Sequence, residues 1–169
     1  MAPRQPITLQ RIADVAYAIV VREGLENLTM RPIAAALGVK APSLYKHVAS
    51  REEIIALVQT RGLNEFGDAF IAAGDSPREK AIAYRDWAYS NPHLYYVVMR
   101  EPLRRDLLPT GTEERVLIEV IRAAGGSHDK ARAMWSMLHG LIDLELQGRY
   151  PAGADLDSTW EEAISLLGE

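Results

Sequence analysis

The stretch that follows Gly38 carries side chains that could bind DNA. No acidic residue lies between Lys40 and Arg51, and apolar residues recur there at the spacing of one helix face. With Val39, Leu44 and Val48 on the inner side, the outer side displays Ala41, Pro42, Ser43, Tyr45, Lys46 and His47. Groups of this kind suit base edges, thymine methyl groups and phosphates. The alternative is an ordinary helical corner with a solvated outer face, although such a face usually shows Glu and Lys.

Signatures of the common enzyme classes are missing from the chain. It contains no Cys, which excludes disulfides, thiolate zinc sites and a Cys nucleophile. No G-x-S-x-G elbow, H-E-x-x-H pair, phosphate loop or G-x-G-x-x-G turn occurs. The four His residues are scattered over positions 47, 93, 128 and 139. We therefore predict a protein that is not an enzyme and needs neither a metal nor a cofactor.

Charge is distributed unevenly along the 169 residues. Residues 1–50 hold six Lys or Arg against three acids, whereas residues 51–169 hold thirteen against twenty. A basic head on an acidic body suggests a head that faces an anion such as nucleic acid, although a solvated surface can also carry this charge. The start of the chain lacks a signal-peptide core, and no apolar run approaches the ~20 residues that span a bilayer. We expect a cytoplasmic protein without a membrane partner.

Nearly the whole chain has the pattern of helices. Apolar residues recur every three or four positions, and no segment alternates with period two. The pattern predicts an all-α fold of about nine helices, three in the head and six in the body. Their predicted starts lie near residues 8, 29, 41, 50, 76, 91, 112, 128 and 157. We predict two domains, over residues 6–66 and 76–169, with a loop at residues 101–111.

Residues 29–51 have the pattern of a helix-turn-helix. Ala35 and Ala36 are small enough for two helices to approach closely, and Gly38 allows the sharp turn between them. The chain also resembles the TetR family of bacterial transcription regulators over roughly residues 6–66. Four segments carry the resemblance: Gly24–Arg31, Ile33–Val39, Leu44–Val48 and Ser50–Ile55.

The resemblance implies a three-helix DNA-binding head, a long fourth helix and a body that binds an effector and forms a dimer. The second motif helix would enter the major groove. By position, groove contacts would come from Ala41, Pro42, Ser43, Tyr45 and Lys46. Phosphate contacts would come from Thr29, Arg31, Tyr45, His47 and Arg51, and Lys40 could serve either role.

The second half of the chain contains large side chains that suit an apolar small-molecule pocket. Trp135, Leu138, His139 and Gly140 resemble the Trp-His-Gly type of TetR C-terminal domain. Met adapts its shape and aromatic rings give a pocket form. The predicted pocket residues are Tyr84, Trp87, Tyr95, Met99, Trp135, Leu138 and His139. The alternative is that these residues only pack a core, with His139 a satisfied core or interface residue.

The helix predicted over residues 128–148 is apolar almost all round and must be buried on two sides. One side can face its own core, and the resemblance suggests a second copy of the chain for the other. The predicted dimer residues, on this helix and the last one, are Met134, Leu141, Ile142, Glu145, Trp160, Ile164 and Leu167. The alternative is a central helix in a monomeric bundle.

Together these patterns predict a DNA-binding transcription regulator. We expect a ligand-responsive repressor that binds a near-palindromic operator as a homodimer, and that associates with the bacterial nucleoid when bound. Its partners would be double-stranded DNA, a second copy and an apolar effector. The alternative is an architectural DNA-binding protein that needs no ligand.

Overall fold

The computed structural model describes residues 6–167, and every regular element in that range is a helix. This confirms the all-α prediction. The elements, with 3-10 helices labelled η, are α1 (Leu9–Glu23), η1 (Leu25–Asn27), α2 (Met30–Ala36), η2 (Ala41–Lys46), α3 (Arg51–Ala72), α4 (Pro77–Ser90), α5 (Pro92–Tyr95), a π-helical turn (Tyr96–Arg100), α6 (Glu114–Ala123), α7 (His128–Leu146) and α8 (Leu156–Ser165). None of these helices is long and apolar enough to cross a membrane.

Local sequence signals explain where several helices begin and end. The Thr8 hydroxyl accepts a hydrogen bond from the Arg11 amide at the start of α1, and Ser127 does the same for Lys130 at the start of α7. Gly24 follows α1 with a φ of 84°, which favours glycine. The third predicted helix is a 3-10 helix of six residues, with Pro42 in its first turn where its missing N–H costs little.

The chain divides into two compact units. The first contains residues 6–62 and 91–109 of the described range. Its buried side chains include Ile12 and Val20 of α1, Ile33 of α2 and Leu44 of η2. It carries ten Lys or Arg against seven Asp or Glu, so its formal charge is positive.

The second unit contains residues 63–90 and 110–167 of the described range. Here α4 packs against α7 and α8, and α6 packs against α7. Its buried core includes Phe66, Tyr84, Met134 and Ile142. The helix α3 contributes residues to both units, since the first unit takes it through Gly62 and the second from Leu63 onward.

The segment 91–109 belongs to the same compact unit as the N-terminal helices. The sequence had predicted it as part of the second domain, over residues 76–169. The segment buries Leu94, Tyr95 and Val97, and α5 packs against α1. These apolar side chains account for the grouping, because they are covered by elements that come much earlier in the chain.

Candidate functional site

A tight turn joins α2 to η2 and fixes the geometry of the helix-turn-helix. Gly38 has a φ of 68°. The amide of Gly38 donates to the carbonyl of Ala35 at 3.0 Å, and the amide of Val39 donates to that of Ala34 at 2.9 Å. This is the Schellman arrangement, in which a left-handed glycine lets two amides satisfy the last helix carbonyls. A side chain at residue 38 would strain the turn.

The short helix η2 has one buried and one exposed side. Leu44 is fully buried, and Val48 just beyond the helix is buried as well, so both anchor η2 in the first unit. Tyr45 is 57% exposed, although large aromatic side chains are more often buried. Of the other predicted outer residues, three are exposed and two are half-buried: Pro42, Lys46 and His47, then Ala41 and Ser43.

The predicted phosphate-binding residues differ in their environments. Thr29, Arg31 and Lys40 are exposed, as a phosphate contact requires. Arg51 is half-buried, and its Nε donates to the carbonyl of Leu28 at 2.8 Å and its Nη2 to that of Leu25 at 3.1 Å. The guanidinium therefore ties the start of α3 to η1, whereas the resemblance had implied a cation that faces phosphate.

A capping box stabilises the start of α3. The Ser50 hydroxyl accepts from the amide of Glu53, and the Glu53 carboxylate accepts from the amide of Ala49 at 2.6 Å. A backbone amide hydrogen bond and then the Ser50 hydroxyl lower the pKa of exposed Glu52 beside it. The first turn of α3, which follows η2 directly, is thus held by both its cap and Arg51.

Aromatic rings cluster in the core of the second unit. The ring of Phe66 lies 5.1 Å from that of Tyr84, 5.0 Å from Trp87 and 5.9 Å from Trp135, centroid to centroid. Tyr84 and Trp135 are stacked at 4.8 Å with an interplanar angle of 10°. The Tyr84 hydroxyl and His139 Nδ1 are 3.0 Å apart and hydrogen-bonded. Trp135 and His139 are only half-buried, so one edge of the cluster is open.

The structure brings together only part of the predicted pocket set. Tyr84, Trp87, Trp135 and His139 meet in the aromatic cluster, and Leu138 is buried on the same helix. Tyr95 and Met99 belong to the first unit instead, because they lie in the segment 91–109. Phe66 was not in the predicted set, although its place on the apolar side of α3 was a signal that could have included it.

Most of the predicted dimer residues are buried inside the protomer. Met134, Ile142, Trp160, Ile164 and Leu167 are each at most 6% exposed, which corrects the prediction that they form the interface. The physical reason is that α7 has two apolar stripes, and the stripe through Met134, Leu138 and Ile142 faces its own core. Its neighbouring stripe remains on the surface.

The second stripe of α7, through Met137 and Leu141, lines an apolar groove between α7 and α8. Of these two residues, Leu141 was among the predicted dimer residues. Leu166, at 72%, is the most exposed large apolar residue between positions 6 and 167. The groove is lined by Met137, Leu141, Ser158, Thr159, Glu162, Ala163 and Leu166. Its exposed apolar side chains make this groove a candidate contact surface for another molecule.

Glu145, also predicted at the interface, takes part in a polar network that the sequence did not reveal. Its carboxylate accepts from Arg85 Nη2 at 2.7 Å and from Trp160 Nε1 at 2.9 Å. Burial acts to raise the pKa of Glu145, but hydrogen bonds from Arg85, Tyr89 and Trp160 outweigh it and lower the pKa. Burial, and then Glu145, raise the pKa of Tyr89. Arg85 also binds Asp157 at 2.7 Å, so the network connects α4, α7 and α8.

Comparison with known proteins finds matches over most of the chain. Residues 12–58 match the family described as bacterial regulatory proteins of the tetR family. Residues 78–167 match the tetracyclin repressor-like C-terminal domain. The uncharacterized HTH-type transcriptional regulator Rv0681 of Mycobacterium tuberculosis is 34% identical over 161 residues, covering 85% of this chain and 73% of the relative.

Solved structures share the fold at lower sequence identity. The regulatory protein SCO4313 superimposes with a TM-score of 0.77 at 23% identity, covering 97% of this chain and 99% of its own. The multidrug binding protein EbrR, solved in complex with imidazole, has a TM-score of 0.66 at 22% identity, covering 96% of this chain and 94% of its own. Both neighbours extend the likeness across both compact units.

Proposed function

Because the chain belongs to the TetR family of DNA-binding transcriptional regulators, we propose that it acts as a homodimeric, ligand-responsive repressor of a near-palindromic operator. Members of this family are transcription regulators rather than enzymes, and they act as dimers that bind DNA operators and small-molecule effectors. The observation that carries the proposal is η2, anchored by buried Leu44 and exposing Tyr45 on a positively charged unit. Such a regulator works where the chromosome lies, in the cytoplasm.

In the proposed complex, η2 lies in the major groove. Tyr45, Lys46, Pro42, Ala41 and Ser43 make groove contacts, and Thr29, Arg31, Lys40 and His47 contact flanking phosphates. The exposure of all these side chains except half-buried Ala41 and Ser43, together with the tight turn at Gly38, supports this assignment. Arg51 acts by orienting α3, since its donors already bind two carbonyls. Two copies would reach successive major grooves about 35 Å apart.

Enrichment of DNA from a random pool by the purified protein tests this arrangement. We expect the enriched sequences to contain two inverted half-sites, because a two-fold dimer presents two copies of η2. A single asymmetric site, or no enrichment at all, would contradict the proposed homodimeric operator complex.

The proposed effector site is the aromatic cluster of the second unit. It joins Tyr84, Trp87, Trp135 and His139 without a charged group among them, so it suits a planar, apolar molecule with one polar atom for the Tyr84–His139 pair. That a structural neighbour is a multidrug binding protein is consistent with this ligand class. Since α3 contributes to both units, a ligand here could change the DNA affinity of the first.

Tryptophan fluorescence of the protein–DNA complex tests the effector proposal. In a panel of planar apolar compounds, we expect some to quench the fluorescence of Trp87 or Trp135. The same compounds should cause the protein to release DNA at the concentration at which they quench. If none of the compounds that quench tryptophan fluorescence changes the affinity for DNA, the alternative of a ligand-independent DNA-binding protein is favoured.

The proposed dimer face is the groove between α7 and α8. Its exposed Leu166, with Leu141 and Met137 beside it, offers an apolar surface that an identical groove on a second copy can cover. Burial of Met134 and Ile142 in the protomer supports this choice over the stripe predicted from the sequence.

A further inference from the structure

Gln59, in the middle of α3, is a fully buried polar side chain that the proposed DNA and effector contacts do not use. Its Nε2 donates to the carbonyl of Val97 at 3.0 Å and to that of Pro102 at 3.2 Å. Its Oε1 accepts from the backbone amide of Arg104 at 3.1 Å. All three hydrogen bonds reach a single stretch of chain, the segment 91–109. A buried amide is costly unless it is bonded in this way.

The segment needs these hydrogen bonds because of its own sequence. Residues Tyr96–Arg100 form a π-helical turn, in which a carbonyl accepts from the amide five residues later, as Tyr96 does from Glu101. The corresponding partner of Val97 is Pro102, which has no N–H. Gln59 supplies the donor that Pro102 cannot. The hydrogen bonding of the π-helical turn is therefore completed by Gln59.

A glycine one turn along α3 allows the segment to approach this closely. A Cβ at Gly62 would lie 2.5 Å from Val98 Cγ2 and 2.9 Å from Leu94 Cδ1, closer than real atoms come. The segment also packs on α1 through α5. It therefore contacts both of the long helices that frame the first unit.

The same two helices hold the helix-turn-helix. Arg61 of α3 lies 3.7 Å above the ring of Tyr17 and forms an ion pair with Asp14, both on α1. Arg51 connects the start of α3 to η1. The placement of η2 follows from these helices, because η2 packs against α2, α2 packs against α1, and the chain runs from η2 to the start of α3. The segment 91–109 contacts both α1 and α3 and so adds a further support for that placement.

We propose that Gln59 is a positioning residue for DNA binding, because it holds the segment 91–109 against α3 and makes it a fixed part of the DNA-binding unit. The inference rests on the proposed DNA-binding function. It adds that the DNA-binding unit needs the segment 91–109, which follows α4 in the chain. When this segment is held less firmly, η2 is placed less well and operator affinity falls.

Gln59→Met tests the proposal, because it keeps the length of the side chain and removes all three hydrogen bonds. We expect operator affinity to fall about tenfold or more, while affinity for non-specific DNA, set mainly by charge, changes less than about twofold. The matched control is Thr60→Val, which removes only the bond from Thr60 Oγ1 to the carbonyl of Ala56 within α3. It should bind the operator like the wild type. Gln59→Met with wild-type operator affinity would overturn the proposal.

Hydrogen exchange of the wild-type protein provides a second test that does not depend on the variant folding. If the hydrogen bonds of Gln59 to the segment 91–109 are coupled to DNA binding, operator DNA must stabilise them by the same factor by which they strengthen binding. We expect slower exchange of the Arg104 amide with operator DNA than with a scrambled duplex. Equal exchange in both would overturn the inference and leave the DNA-binding function intact. A wild-type protein without sequence-specific binding would instead contradict the proposed function itself, and the inference with it.

Discussion

Tyr45 lies on the exposed side of η2, next to the buried anchor Leu44. Its side chain can be removed without opening a cavity in the core. We expect Tyr45→Ala to weaken operator binding by about 1–3 kcal/mol, the usual cost of a lost base contact. Fluorescence anisotropy at one fixed salt concentration measures this, and sedimentation should show an unchanged dimer. Unchanged operator affinity would mean that η2 is not the recognition helix.

Lys40, exposed in the turn before η2, is expected to contact a phosphate. Because each phosphate contact releases condensed counterions, Lys40→Ala should flatten the dependence of log affinity on log salt by about 1. Lys130, exposed in the second unit, is the matched control, and its substitution by Ala should leave the slope unchanged. Equal slopes for wild type and Lys40→Ala would remove Lys40 from the interface.

Substitutions of Arg51 can distinguish the effect of its charge from the effect of its hydrogen bonds. Arg51→Lys keeps the charge but cannot bond the carbonyls of Leu25 and Leu28 in the same geometry. We expect a loss of about 1–3 kcal/mol in the free energy of unfolding, measured by urea denaturation, with the salt dependence of DNA binding unchanged. Exposed Arg31→Lys is the control and should unfold like the wild type. Arg51→Gln, which removes the charge, should also leave the salt dependence unchanged, and a flatter salt slope for this variant would restore Arg51 to the phosphate contacts.

Among the elements, α8 is attached to α4 by two arginines of different burial. Arg85 binds Glu145, whose side chain is only 5% exposed, whereas the side chains of Arg78 and Glu161 are 42% and 58% exposed. Arg85→Met leaves the buried Glu145 carboxylate without its cation and should cost about 3 kcal/mol or more in unfolding free energy. Arg78→Met should cost less than about 1 kcal/mol. Similar costs for both variants, by urea denaturation, would contradict this ranking.

The ion pair between Arg85 of α4 and Glu145 of α7 should give a pH signature. The pKa of Glu145 is lowered in the folded protein, so its contribution to stability is complete above its unfolded pKa and is lost as the pH falls through the folded pKa. In Arg85→Met, burial without the arginine should raise the folded pKa of Glu145, so the folded and unfolded pKa values differ less and the acid-dependent loss of stability from Glu145 becomes smaller. Unfolding free energies measured between pH 3 and 7 would show the smaller loss, and parallel pH profiles for wild type and variant would exclude it.

The sequence predicted the helical elements well because caps and apolar spacing are local signals. Thr8, Ser50 and Ser127 cap α1, α3 and α7, and each lies within one residue of a predicted helix start. The π-helical turn was beyond local signals, since Gln59, which completes it, lies 38 residues before Val97. The choice between the two apolar stripes of α7 was equally non-local, because it depends on which stripe faces the core of its own unit.

At the scale of the whole molecule, the dimer should depend on the groove between α7 and α8. Leu166→Glu places a charge on its most exposed apolar residue and should weaken dimerisation about tenfold or more, by sedimentation equilibrium. Leu117→Glu, on the outside of α6 at 50% exposure, is the matched control and should leave the dimer intact. A dimer unaffected by Leu166→Glu would place the interface elsewhere.

The candidate sites were predictable to different extents for a physical reason. The DNA-binding residues lie within one contiguous motif, so spacing alone separated buried Leu44 from exposed Tyr45. The aromatic cluster joins rings from α3, α4 and α7, so sequence could name Tyr84 and Trp135 but could not exclude Tyr95, which packs in the other unit.

Sequence-specific DNA binding is the central claim, and one titration tests it most directly. The wild-type protein is titrated against a labelled inverted repeat enriched from a random pool and against its scrambled duplex, at one salt concentration. We expect the repeat to bind about a thousandfold or more tightly than the scrambled duplex. Equal affinity for the two duplexes would show that only the positive charge of the first unit binds DNA, and would contradict the assignment of η2 as a recognition helix.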